Sequence, residues 1–204
     1  MVESRKDRER KQRREILLEA ASRVFGRKPF DEATMQEVAA VAQIGMQGLY
    51  EQFPSKQALY EQVILARALA FQSRAREILA EELPPIEALR RLALAYAGQF
   101  RERPMHLPMF IRDRVHFDWG FDSRFAPRLH EIYEEERTHL RSLMIRAMEA
   151  GRIRAMDPDF LAQLCMDILQ SSLHYSHFRQ PEEPPEAGVD RALDCLLAGV
   201  GVHP

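Results

Sequence analysis

Between Thr34 and Lys56 two short apolar-patterned segments, a tight turn and a proline stop follow one another with almost no residue to spare. Thr34 suits an N-cap, and Val38, Ala39 and Ala42 fall three and four apart, on one face of a first helix. Gln43-Ile44-Gly45 supplies the corner. Ile44 is expected to plug the angle between the helices, and Gly45 to accept whatever backbone the turn requires. A second helix is expected from Met46 to Gln52, with Leu49 and Phe53 inward and Met46, Gln47, Tyr50 and Glu51 outward. Pro54 cannot continue it, Ser55 can cap the next helix, and Lys56 adds a charge at that start. The layout is a helix-turn-helix, a unit whose second helix can enter a groove of double-stranded DNA.

Thr34, the Val38-Ala39 pair, Leu49-Tyr50 and the run Phe53-Pro54-Ser55-Lys56 stand at spacings that resemble the TetR family of bacterial one-component transcriptional regulators. The resemblance is specific for roughly residues 10 to 65. It implies phosphate contacts for Thr34, Tyr50 and Lys56, and it leaves open what the rest of the chain binds. The sequence departs from the family habit at several places. Gly45 and Met46 stand where a Ser or Thr cap and a Lys are usual, Gln47 replaces a frequent Gly, and Gln52 a frequent aromatic. The second helix therefore holds no Lys or Arg. Gln47 is suited to a bidentate pair with adenine, Glu51 to accepting from cytosine, and Met46 to a thymine methyl. The expected DNA-binding set is Thr34, Gly45, Met46, Gln47, Tyr50, Glu51 and Lys56, joined by Arg5, Lys6 and Arg8.

Those last three belong to a basic N-terminal segment, residues 1–14, which carries Arg5, Lys6, Arg8, Arg10, Lys11, Arg13 and Arg14 against three acids, a net +4. Residues 1–60 are net +2 and the remainder net −4, so charge is split between the halves of a chain that is −2 overall. An arm of this kind can follow a DNA backbone or enter a minor groove, adding salt-dependent affinity without a sequence code. The alternative is a solvated terminus.

With 204 residues, 46% of them hydrophobic, the chain can bury a real core. No apolar stretch follows the basic segment and no run approaches the roughly 18 residues of a membrane span, which leads to the expectation of a cytoplasmic protein with no membrane partner. Cys165 and Cys195 sit inside apolar helical patterns, which favours reduced thiols over a disulfide or a metal site.

Nearly every segment has helical period, so the expected fold is all-α: a three-helix N-terminal domain and a C-terminal helical bundle, about nine helices in all. Ile16, Leu17, Ala20, Ala21, Val24 and Phe25 form the inner face of the first helix. Later helices are expected from Ser55 to about Glu82, Ile86 to Arg103, Met105 to Phe117, Ala126 to Ala150, Pro158 to Phe178 and Val189 to Val200, with prolines, the Asp118-Trp119-Gly120 loop and Gly151 as punctuation. The expected domains are a basic arm (1–14), a helix-turn-helix domain (8–55) and a helical ligand-binding and dimerisation domain (56–204).

Within that last domain Leu140, Leu143, Ala147, Leu161, Leu164, Ile168 and Ser172 form stripes on two helices. They suit either an internal core or half of an intermolecular four-helix bundle, and the family resemblance favours the homodimer. Tyr96, Phe100, Met105, Phe110, Phe117, Trp119, Met166 and His174 gather apolar surface with a few polar tips, as a pocket for a small hydrophobic or aromatic effector would; the alternative is that they fill a core. His174 and His177 lie three apart, but no further ligand spacing completes a metal site. Asp113, His116 and Asp118 cluster without a nucleophile, and no phosphate-cradling loop or nucleophile elbow is present, so neither a cofactor nor catalysis is expected. The expected function is a ligand-responsive DNA-binding regulator, a repressor by family habit. The alternatives are a helical sensor with little specific DNA binding and an enzyme in the helical body.

Overall fold

The computed structural model describes residues 4–102, Leu107 and residues 127–201. They form eight helices: α1 (Arg5–Arg27), α2 (Met35–Ala42), α3 (Met46–Gln52), α4 (Lys56–Leu79), α5 (Pro85–Glu102), α6 (Pro127–Glu149), α7 (Pro158–Arg179) and α8 (Pro185–Val200). Among the described residues there is no strand, only an isolated bridge between Ile153 and Gly201. The chain divides into two compact units, and the division falls at Arg67 and Ala68, inside α4. The segment expected as a helix from Met105 to Phe117 and the loop after it lie outside the described residues, except Leu107, which is helical and buried.

In the N-terminal unit, the head, Leu17, Ala20, Ala21, Val24 and Phe25 of α1 are buried against Val38, Ala39 and Ala42 of α2, Leu49 of α3, Phe53, and Leu59, Tyr60, Val63 and Ile64 of α4. Ile16, expected inside, is 44% exposed, because the buried face of α1 begins one residue later at Leu17. Phe25, Phe30 and Tyr60 pack edge to face, with centroids 4.8 Å apart for Phe25–Tyr60 and 4.9 Å for Phe30–Tyr60. Thr34 begins α2 with a full capping box. Its hydroxyl accepts from the Glu37 N–H at 3.2 Å, and the Glu37 carboxylate accepts from the Thr34 N–H at 2.9 Å. Lys28 pairs with the same carboxylate at 2.5 Å, and these hydrogen bonds, that of Lys28 first, hold Glu37 below the usual carboxylate range.

The basic segment is helical over most of its described part. From Arg5 onward it is the first part of α1, capped by Ser4, whose hydroxyl accepts from the Asp7 N–H at 3.2 Å.

In the body, Ala88, Leu89, Leu92, Ala93, Ala97 and Phe100 of α5 pack with the buried faces of the other helices: Leu129, Ile132, Leu143 and Met144 of α6, Leu161, Cys165 and Leu173 of α7, and Val189 and Leu193 of α8. Gly151 ends α6 at φ +63, with the Arg152 N–H bonded to the Ala147 carbonyl at 2.9 Å, the expected glycine cap. Asp157 caps α7 through hydrogen bonds from the Asp159 and Phe160 N–H groups. The last helix begins at Pro185, four residues before its expected start, because proline is pre-set for the first turn of a helix even where it reads as part of a loop. α7 and α8 approach closely at Gly188. A Cβ there would collide with the Ser176 hydroxyl and stand 3.1 Å from that of Ser172.

Candidate nucleic-acid interface and effector cavity

Between α2 and α3 the left-handed backbone falls on Gln43, at φ 55, and not on Gly45. The Ile44 N–H bonds back to the Ala39 carbonyl at 3.1 Å, closing α2 in the manner of a Schellman cap. Gly45 is the N-cap of α3 in ordinary extended backbone, φ −62 and ψ 154, with nothing within 4 Å of a Cβ placed on it and no side-chain cap bond. Glycine is thus not required there for conformational freedom, a correction to the sequence expectation. Ile44 does sit in the angle, with its Cγ2 3.2 Å from where a Gly48 Cβ would lie.

α3 spans Met46–Gln52, the expected range, with Leu49 fully buried as its anchor and Phe53 buried beside it. Gln47, Tyr50 and Glu51 are exposed and Met46 is half-buried, so the side chains expected to face a groove share the outer surface. The Gln47 amide donates to the Glu51 carboxylate at 3.1 Å, one turn along the helix, so the two outward polar groups orient each other.

The cations are arranged differently from the sequence expectation. Lys56 sits inside the head. Its ammonium donates to the carbonyls of Phe30 at 2.7 Å, Ala33 at 2.9 Å and Asp31 at 3.3 Å, and it stands 4.4 Å from the centre of the Phe30 ring. Its protons hold the α1–α2 connection in place. Arg14 lies 4.5 Å over the Phe53 ring and donates to Gln62 at 2.5 Å; burial first, then the neighbouring Arg10, holds its guanidinium below the usual range. Arg5 pairs with Glu9 at 2.8 Å on the surface, while Lys6 and Arg8 are exposed. Arg13, absent from the expected set, is exposed, and its Nη1 lies 3.8 Å from where a Cβ of Gly48 would stand, on the flank of α3.

The body holds a cavity of about 630 Å³ that includes space open to solvent. Its walls come from α4 (Phe71, Ala75), α5 (Leu89, Leu92, Ala93, Tyr96), α6 (Tyr133, Glu136, His139, Leu140) and α7 (Met166, Leu169, Gln170). Phe71 and Tyr96 meet edge to face at 5.2 Å. No Lys or Arg lines this cavity among the described residues. Of the side chains expected around an effector, Tyr96 and Met166 line it. Phe100 is buried behind Tyr96, with ring centres 5.7 Å apart. His174 is exposed and packs on Phe178; it lies about two turns beyond Met166 along α7, past the last cavity-lining residue of that helix, Gln170. Met105, Phe110, Phe117 and Trp119 lie outside the described residues, as do Asp113, His116 and Asp118. Tyr133, Glu136 and Leu140, at positions i, i+3 and i+7, were the legible signal for the α6 wall that sequence reasoning missed.

The stripes expected at a dimer interface divide. Leu143, Ala147 and Leu161 are buried in their own chain, Leu140 lines the cavity, and Ser172 packs against α8. Leu164 and Ile168 remain half-buried, while Phe160, Tyr175 and Phe178 of the same helix are 55–62% exposed. Burial holds His177 below its usual range, with His174 adding to the effect; no cluster of three metal-binding side chains occurs among the described residues.

A helix-turn-helix head on an all-helical body with an apolar cavity is the build of DNA-binding transcriptional regulators. Residues 17–63 match the family described as "Bacterial regulatory proteins, tetR family". The chain is similar to the nucleoid occlusion factor SlmA of Vibrio atlanticus, 27% identical over 163 residues that cover 79% of this chain and 82% of the relative. It also resembles the SlmA of Photobacterium profundum, at 25% over 197 residues covering 93% and 95%. The fold matches that of the fatty acid degradation regulator FadR from Bacillus halodurans with a TM-score of 0.79, at 15% identity over 92% of this chain and 95% of the other. It matches FadR from Bacillus subtilis in complex with stearoyl-CoA with a TM-score of 0.78, at 14% identity over 93% and 99%. For the ketosteroid regulator KstR2 of Mycobacterium tuberculosis the TM-score is 0.77, at 19% identity over 100% and 98%. At these identities the likeness to the solved structures is one of fold.

Proposed function

We propose that this chain is a cytoplasmic homodimeric repressor, released from a palindromic operator when a small hydrophobic or aromatic effector enters the body. The observation that carries the reading is the pairing, in one chain, of a capped helix-turn-helix whose polar side chains face outward with an apolar cavity walled partly by α4. α4 begins at Lys56, whose ammonium holds the α1–α2 connection, and carries Phe71 and Ala75 on the cavity wall. An effector that prefers one position of α4 changes how well two heads match successive major grooves, by no more than its difference in affinity for the two states. In this reading Tyr50 and Thr34 contact phosphate, Gln47 pairs with adenine and Glu51 accepts from cytosine.

The effector class follows from the walls. FadR of Bacillus subtilis was solved with stearoyl-CoA; here Glu136 is a carboxylate on a wall that has no Lys or Arg among the described residues, which suits an uncharged ligand better than a polyanionic one. A second reading, a sensor with little specific DNA binding, is favoured by the cation-free α3 and by the engagement of Lys56 inside the head.

Selection from a random duplex library separates the two. Enrichment of a near-palindrome, bound at least about a thousandfold more tightly than scrambled DNA, is the expected result. A library that enriches nothing, with binding that disappears at modest salt, establishes the sensor instead.

A further inference from the structure

α3 carries no Lys or Arg, Lys56 directs its ammonium to three carbonyls of its own head, and Arg14 is stacked on Phe53 and bonded to Gln62. α3 thus supplies no cation of its own, and two cations of the head that could serve it are turned to partners within the head. Arg13 reaches from α1 to the flank of α3 at Gly48, is exposed, and makes no hydrogen bond or ion pair among the described residues. At 100° per residue, position 48 follows directly around the helix from the edge formed by Gln47 and Glu51. The guanidinium therefore stands beside the outward face of α3 rather than on it. Beside a helix lying in a major groove run the phosphates of the groove wall, and a guanidinium fork fits two phosphate oxygens.

We propose that Arg13 is the phosphate anchor of this interface: it grips the DNA backbone along the edge of the groove that α3 enters and replaces the cation that α3 lacks. The proposal rests on the DNA-binding reading above. It assigns Arg13 the part of positioning α3, while Gln47 and Glu51 carry the sequence preference. Gly48 belongs to the same arrangement. A Cβ there would press on Ile44 at 3.2 Å and touch the Arg13 guanidinium at 3.8 Å, so any larger side chain would displace it.

The test uses the full chain and the duplex enriched by selection, with affinity measured by fluorescence anisotropy across a potassium chloride series. Arg13→Gln is compared with Arg13→Lys and with Arg27→Gln, which removes the same charge from the other end of α1. Arg13→Gln is expected to bind about tenfold more weakly at roughly 100 mM salt, on selected and scrambled duplexes alike, and to lower the salt slope by about 0.9. Arg13→Lys should keep most of the slope, and Arg27→Gln all of it. Thermal unfolding of each variant shows that the fold is retained. If Arg13→Gln matches Arg27→Gln while the native chain still prefers its selected duplex, the anchor is wrong and the DNA-binding reading stands. If Arg13→Gln keeps the slope but loses discrimination at one base pair, Arg13 reads guanine and the phosphate assignment is overturned. If the native chain prefers no duplex, the reading and the anchor fall together.

Discussion

Cys165 and Cys195 show how far burial separates two side chains of the same type. Cys165 is fully buried in α7, and desolvation pushes its thiol up to about 12, whereas Cys195 is exposed on α8. At pH 8 a thiol with that pKa is ionised in only about one molecule in ten thousand, and the thiolate is the nucleophile. A maleimide or disulfide reagent is therefore expected to modify Cys195 in the folded chain and Cys165 only after unfolding in guanidinium. Mass spectrometry of the labelled chain decides it, and native labelling at Cys165 would contradict the burial. The sign of the pH effect follows. The folded pKa lies above the unfolded value of about 8.5, so the buried thiol's contribution is complete below that pH and is lost as pH rises toward 12. Cys165→Ala should make stability less sensitive to alkali over that window.

Among the helices, α3 is the least supported by its own sequence, with seven residues and no side-chain cap at Gly45. Gly45→Ser supplies a hydroxyl where φ is −62 and the space around Cβ is empty, so no strain opposes it. It should stabilise the head by roughly 0.5–1 kcal/mol through the new cap and the stiffer unfolded chain, read as a higher midpoint in thermal unfolding. An unchanged or lower midpoint would show that the serine does not reach the free N–H groups of the first turn. The same helix marks what could be read from sequence. Its ends were legible because glycine, a buried leucine and a proline stop are local signals, and the Thr34 capping box was legible at its threonine. The corner conformation was not. Gln43 takes the left-handed backbone because α2 ends there, and composition pointed to the glycine two residues on. Nor could sequence divide the apolar stripes of the body. Leu140 was expected in a dimer face and lines the cavity, Leu161 was expected in the same face and is buried in its own chain, and Phe178 went unremarked and is exposed. Helical spacing says that a face is apolar but not what covers it.

What covers α7 is a question for the whole molecule. Phe160, Leu164, Ser171, Tyr175 and Phe178 follow one another at steps of four, seven, four and three, a single stripe along a helix about 33 Å long. Its large aromatic members are more than half exposed, while the opposite side of α7, with Leu161, Cys165, Leu169 and Leu173, is closed inside the body. A second copy of the chain related by a two-fold axis would bury this stripe against itself, and would present two heads to a two-fold operator with half-sites about 34–36 Å apart. The large side chains that this association would use are therefore Phe160, Tyr175 and Phe178 rather than Leu143 and Ala147 of α6, which are already buried in the chain's own core. Phe178→Glu tests this without touching that core, since Phe178 is 62% exposed and its ring contacts are to His174 and His177 of the same helix. The native chain should sediment as a dimer at micromolar concentration. The variant should sediment at half that mass, keep its helical circular dichroism, and bind the selected palindrome at least tenfold more weakly while a single half-site is bound as before. A native chain that sediments as a monomer at those concentrations, or a variant that stays dimeric with its operator affinity intact, would place the association elsewhere.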